Sequence, residues 1–471
     1  MTATNLTAES GILPSSRPTS RRAEGRGRLV FVLLAFMHAL VCRLIHEKVL
    51  ADAGVFEYMG LRWLDAGLPQ ELLFLALAVA PAILFIPVQL RRSSDLLLII
   101  VYGAVYVPVT ALFPNVASSD MGDALLLTLT TLLGLYLATA LARIEPGGSG
   151  AQVGLQDNRY DLLLFGAATA VIASYLAFVP IQVVELDFTR VYEFRATFGD
   201  QMSKLSPILL YVFVNSALAL SPMMIVRGIT RRNYLMVAVA FGLAYYTFAV
   251  TSYRSLLFVA LFVAALTYLI RFRIAPAISI FGFFVGIAAA VVLLDMLSKS
   301  AIPTNTFSIH YRLFGNSATI TSAYLDLFTS HPKFYYSQSF LRFLIRPPTD
   351  IPYPLIVGRE ISSVENVWAN GNMVADAFAN LGYVGVLITF VALGLFLALF
   401  NFVAVAKDPM VAALTLAAPG FYLSNGGLQS AVLSGGLGVT VLLVLLYPNA
   451  QLAFKRRPEG GSDVAVATEA S

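Results

Sequence analysis

Long apolar stretches separated by short polar ones fill most of this chain. They do not alternate with period two, so they do not read as barrel strands, and each runs ~17–25 residues, the length of helix that crosses a bilayer. About twelve such helices are predicted, near 29–46, 71–90, 95–113, 124–142, 161–182, 207–226, 234–251, 255–270, 275–297, 377–403, 410–425 and 430–448. Inside lipid every backbone N–H and C=O must be satisfied by its own segment, which leaves helices as the spanning form here.

Positive charge orders these helices. Arg17, Arg21, Arg22, Arg26 and Arg28 precede the first, and Arg91 and Arg92 follow the second. Arg143 and Arg159, Arg227, Arg231 and Arg232, Arg271 and Arg273, Lys407, and finally Lys455, Arg456 and Arg457 continue the series. Every second connection is basic, which places those connections and both termini in the cytoplasm. The tails 1–28 and 456–471 are small, polar and read as disordered. The expected plan is therefore an all-α polytopic membrane protein. A first block of about nine helices covers 29–297 and carries an external loop at 183–206; a large extracytoplasmic loop follows at 298–376, then three last helices within 377–455.

The large loop is not expected to be structureless. Ile320, Tyr324, Phe328 and His331 recur at helical spacing and Pro332 stops the run. Ser339 to Arg346 also reads as a short amphipathic helix, ended by Pro347 and Pro348. Both are expected at the membrane surface, over the mouth of a cavity.

Composition sharpens the class. The chain is 58% hydrophobic and 12% charged, about half the charge of a soluble domain, so lipid is its solvent. A single cysteine, Cys42, excludes an internal disulfide and a cysteine metal site. No histidine cluster has metal-ligand spacing, and there is no Walker loop and no dinucleotide fingerprint, so no metal and no cofactor are expected. The basic balance follows from the cytoplasmic loops and implies no nucleic-acid partner.

Nine arginines fall on the outside: Arg43, Arg62, Arg190, Arg195, Arg254, Arg312, Arg342, Arg346 and Arg359. The arginine fork suits phosphate, though arginines at an interface also serve as anchors. Arg254 stands out because the tight turn Thr251-Ser252-Tyr253-Arg254-Ser255 joins two spans with almost no loop to carry it into water, and an ionised group at that depth marks a functional site. Arg190, Tyr192 and Arg195 form a second cluster between Asp187 and Arg195, and Arg312 follows His310 and Tyr311. Of four histidines, His38 reads as a packed polar group and His310 as an external candidate base. The loop is rich in aromatics, Tyr324, Tyr353 and Trp368 among them, whose faces suit sugars as well as membrane interfaces. Last comes a dense polar run: Glu365, Asn366, Asn370, Asn372, Asp376 and Asn380 lead into a span, which asks for a polar ligand or a tight network.

Three of these places resemble the oligosaccharide repeat-unit polymerases (Wzy-type O-antigen polymerases): Val191-Tyr192-Glu193-Phe194-Arg195, Tyr253-Arg254-Ser255, and the run from Asn366 to Gly385. The arrangement of many spans, an arginine-bearing middle loop and a large late loop matches too. The resemblance implies a metal-independent glycosyltransferase that joins undecaprenyl-diphosphate-linked glycans at the outer face of the cytoplasmic membrane, with a flippase and a chain-length regulator as further partners. It also implies that arginines stabilise the departing diphosphate. Arg254 and Arg195 are the candidates, assisted by Arg190 and Arg312, with Tyr192, Tyr324, Glu365, Asn366, Asn370 and Asn372 toward the substrate. Asp376, His310 and Glu365 compete for the role of base. Related O-antigen ligases carry a histidine where Gly371 stands, which favours polymerase over ligase. Two rivals remain: another lipid-linked-sugar transferase using Asp52 or Glu57, and a non-enzymatic transporter or flippase.

Overall fold

The computed structural model describes residues 21–54, 63–117, 120–144, 151–178, 207–251, 254–272, 274–298, 302–339, 341–362 and 367–450. Among them every regular element is a helix. Eight are long and apolar enough to cross a membrane, so the chain is a polytopic helical membrane protein. The tails, the loop 183–206 and the residues Arg62, Arg190, Tyr192, Arg195, Glu365 and Asn366 lie outside the described residues.

The elements used below are α1 (Arg21–Leu44), α2 (Leu68–Leu84), α3 (Asp95–Val116), α4 (Met121–Leu141), α5 (Asp157–Phe178), α6 (Tyr211–Arg231), α7 (Tyr234–Thr251), α8 (Arg254–Arg271) and α9 (Pro276–Ser298). They continue with α10 (Asn316–Ser330), α11 (Tyr353–Ile361), α12 (Met373–Ala404), α13 (Pro409–Tyr422) and α14 (Leu428–Leu446). Each of the twelve expected spans meets one of these helices, of which α2 and α13 are the shortest. Both carry an internal proline. Pro81 removes a backbone donor inside α2, which ends at Leu84 rather than near 90. The run expected at 410–425 divides at Leu416 into Pro409–Thr415 and Ala417–Tyr422, with Pro419 in the second piece.

Basic side chains fasten several connections of the bundle. At one end Arg28 donates to the Ala82 and Ile86 carbonyls, Arg92 donates to Ala142, and Arg227 pairs with Asp157 and Asp161. Lys407, almost wholly buried there, donates to the carbonyls of Val153, Leu445 and Tyr447 and to the Asn449 amide oxygen. These bonds tie connections together where helix carbonyls would otherwise be unmet. At the other end Arg43 is already engaged, 2.5 Å from Glu71 and 3.5 Å from Glu47.

The large late loop departs from expectation. The helix predicted around Ile320–His331 exists as α10 and ends before Pro332, but it is buried between α3 and α12 and does not lie on the surface. Its small residues Ser317, Ala318, Thr319, Thr321 and Ser322 permit close approach. Its hydroxyls are satisfied by carbonyls: Thr321 donates one turn back to Ser317 O at 2.6 Å, and Ser322 reaches across to Val116 O of α3 at 2.8 Å. The helix expected at Ser339–Arg346 is instead a series of turns. Tyr335 and Tyr336 precede it with φ of 51° and 56°, a left-handed pair that no continuing helix can use.

Candidate functional site

Asn372, Asp376 and Asn380, at the start of α12, form one hydrogen-bonded network. Asn372 caps the helix: its side-chain oxygen accepts from the N–H groups of Val374 and Ala375 at 2.9 and 3.0 Å. Its amide nitrogen donates to Ser317 O, Ser317 Oγ and Thr321 Oγ1 at 3.1, 2.6 and 2.8 Å. Asp376 and Asn380 follow on the same face at intervals of four residues. Asn380 donates to Asp376 O at 2.8 Å, and its oxygen accepts from Tyr336 N–H at 2.7 Å.

Helix α12 is broken at Gly382, whose φ of 64° suits glycine alone. The break exposes the carbonyl end of the short segment that carries Asp376. The strained pair closes it: Phe334 N–H donates to Ala379 O at 3.1 Å and Tyr335 N–H to Asn380 O at 3.0 Å. Lys333 stands beside this end, its ammonium donating to Phe328 O and lying 4.2 Å from the Phe378 ring centre. Burial pushes that ammonium down to about 8, so it still carries most of its charge at neutral pH.

Asp376 is the chemical centre of this region. It is buried, yet its carboxylate accepts from Tyr353 Oη at 2.5 Å and from Gln429 Nε2 at 3.0 Å. Gly427 packs so closely that a Cβ there would overlap the carboxylate. Gly427→Ala is therefore expected to displace Asp376 from Tyr353, lowering the unfolding temperature of the purified protein by several degrees; an unchanged transition would show that the loop moves aside freely. Burial and the neighbouring Asp376 charge hold the Tyr353 phenol well above its ordinary range, which keeps it a proton donor.

The ring of Tyr353 also lines an open cleft of about 330 Å³, with Gln338, Arg342, Asp350, Trp368 and three prolines, Pro347, Pro352 and Pro354. Gln338 fastens one wall: Nε2 donates to Thr349 O and Ile351 O at 3.0 and 2.7 Å, and Oε1 accepts from Tyr353 N–H at 3.0 Å. Trp368 is 57% exposed, with exposed Asn370 close behind it in sequence. The structure thus brings together Asp376, Tyr324, Asn372 and the cleft. Tyr324, fully buried, donates to Ala369 O at 2.9 Å and meets the Tyr353 ring edge-on.

His310 belongs elsewhere. It was expected outside as a candidate base, but it is fully buried in a separate cluster, 4.0 Å from Cys42 Sγ and facing the His46 ring. Packing against Cys42 of α1, the Ile45–Ala51 segment and α9 draws it in. His38 is a packed polar group as expected, bonded to Gly103 O at 2.9 Å. Arg312 is exposed and lies over the Phe307 ring. Arg254 begins α8, and its side chain is outside the described set. No group of three or more candidate metal ligands occurs among the described residues. Sequence reasoning missed Gln338, Asp350 and Gln429; only the prolines around 347–354 signalled a rigid wall there. Comparison with protein-family models, curated proteins and solved structures finds no match to this chain.

Proposed function

We propose that this chain is a membrane glycosyltransferase that polymerises undecaprenyl-diphosphate-linked oligosaccharide repeat units at the extracytoplasmic face of the cytoplasmic membrane, with both termini inside. One observation carries the reading: a buried carboxylate, Asp376, is bonded through Tyr353 to an aromatic- and arginine-lined cleft. That cleft belongs to the late loop, which the charge pattern assigns to the outside.

In this reading a sugar hydroxyl of one glycan attacks the anomeric carbon of another. A new C–O bond forms, the bond to undecaprenyl diphosphate breaks, and the diphosphate leaves with the electron pair. The hydroxyl proton passes to the Tyr353 oxygen as the Tyr353 proton moves to Asp376, which acts as general base. The diphosphate gains charge as it departs, so preorganised arginines stabilise the transition state more than the ground state. Arg254 and Arg195 are assigned that role, with Arg190 and Arg312 assisting. His310 takes no part, because its cluster is separate from Asp376.

The test is genetic complementation. Deletion of the gene is expected to leave single repeat units on the cell surface. Arg254→Ala should fail to restore the long-chain ladder at normal membrane abundance, and Arg254→Lys should restore it only weakly, because a point charge does not reproduce the guanidinium fork. Long chains persisting without the gene would sink the assignment.

A further inference from the structure

The cleft in front of Asp376 is built to hold something. Its two charged side chains, Arg342 and Asp350, are both exposed, and among the described residues neither has an ion pair or a side-chain hydrogen bond. Opposite charges that line one cleft without pairing leave a five-donor fork and an acceptor-only carboxylate, both open to an occupant. Trp368 adds a broad apolar face, more than half of it open. The walls are already set: prolines fix the backbone, and Gln338 locks residues 349, 351 and 353 into place. A preformed site spends little ordering entropy on binding. The volume of about 330 Å³ lies at the low end of small-ligand pockets, ~300–1,000 Å³.

The chemistry selects the ligand. A hydroxyl both donates and accepts, so a polyhydroxylated ligand satisfies Arg342 and Asp350 together. A phosphate satisfies Arg342 and is repelled by Asp350. An aromatic face receives the C–H side of a sugar ring, and no other group in the cleft supplies an apolar surface of that size. We infer that the cleft between Arg342, Asp350, Tyr353 and Trp368 is a sugar-binding subsite that grips a neutral unit of the glycan, leaving the diphosphate to bind elsewhere. The inference rests on the polymerase reading for the source of the sugar, and on the cleft alone for its class.

The experiment uses the full chain in lipid nanodiscs. The protein has two tryptophans, Trp63 and Trp368, so Trp63→Phe makes Trp368 the sole reporter. The probe is the lipid-free, phosphate-free oligosaccharide released by mild acid from the host's own surface polysaccharide, with inorganic pyrophosphate titrated in parallel. A saturable change in Trp368 emission with the oligosaccharide is expected, about tenfold weaker in affinity with Asp350→Asn or Arg342→Ala. Calorimetry should show binding lost in Trp368→Ala, an exposed position where folding is not at stake. A response to pyrophosphate in place of the oligosaccharide would overturn the inference, and so would no response to either. The two readings fail separately. Long surface chains in the deletion strain remove the polymerase and leave a positive Trp368 titration standing. A lost ladder with a silent Trp368 removes the subsite alone.

Discussion

Asp376→Asn is expected to abolish chain elongation while leaving the protein folded in the membrane. The replacement has the same shape. Its oxygen still accepts from Tyr353, and Gln429 can turn its amide over to face the new NH₂ group with an acceptor. What disappears is the proton acceptor, and loss of a general base costs ~10²–10⁴-fold in rate. Surface chains should shrink to single units, with an unfolding transition close to wild type. Asp376→Leu separates the two effects from the other side. It strands the Tyr353 hydroxyl and the Gln429 amide, each worth ~1–3 kcal/mol when buried without a partner, so it lowers stability as well as activity. A full-length ladder from Asp376→Asn would remove the base assignment and leave Asp376 as a structural acceptor.

The largest loss of stability is expected at Asn372. Its five hydrogen bonds serve two purposes: capping α12 and anchoring α10. Asn372→Ala forfeits the cap, about 1 kcal/mol, and leaves the buried hydroxyl oxygens of Ser317 and Thr321 without their amide donor, ~1–3 kcal/mol more. Asn372→Asp isolates the second purpose. It keeps the capping oxygen and gains from the helix dipole, but it sets a carboxylate against Ser317 O and Ser317 Oγ where the amide had donated. Denaturation of the purified protein should therefore rank wild type above Ser, which still caps, with Ala and Asp lowest. An Asp variant as stable as wild type would show that the cap alone holds this corner together.

How far these features were legible depends on how each announces itself. The spans and their order came from apolar length and alternating arginine, signals that lipid imposes on every residue of a span. Helix α10 was legible as a helix from Ile320, Tyr324 and Phe328, but its depth was not. Thr319, Thr321 and Ser322 look polar to a hydropathy reading, and only the structure shows their hydroxyls turned onto nearby carbonyls. The density of amides before α12 left two outcomes open, ligand or network, and for Asn372 and Asn380 the network holds. The position of His310 could not be read, because its burial is set in part by packing against α1, 268 residues away at Cys42. The cleft is legible least of all. Gln338, Asp350 and Trp368 share no period and meet only because the chain turns back on itself at a series of prolines.

The left-handed pair Tyr335 and Tyr336 couples two parts of the molecule that would otherwise be independent modules. Their stretch of backbone seals the broken end of the helix that carries Asp376, and two residues later the same stretch supplies Gln338, the brace of the cleft wall. Under the proposed function, sugar recognition and proton transfer would thus be fixed to one frame. A foreign loop grafted into this chain would then carry in a new sugar preference without disturbing Asp376 only if the splice falls after residue 336. A splice before it would also uncap the segment that carries Asp376.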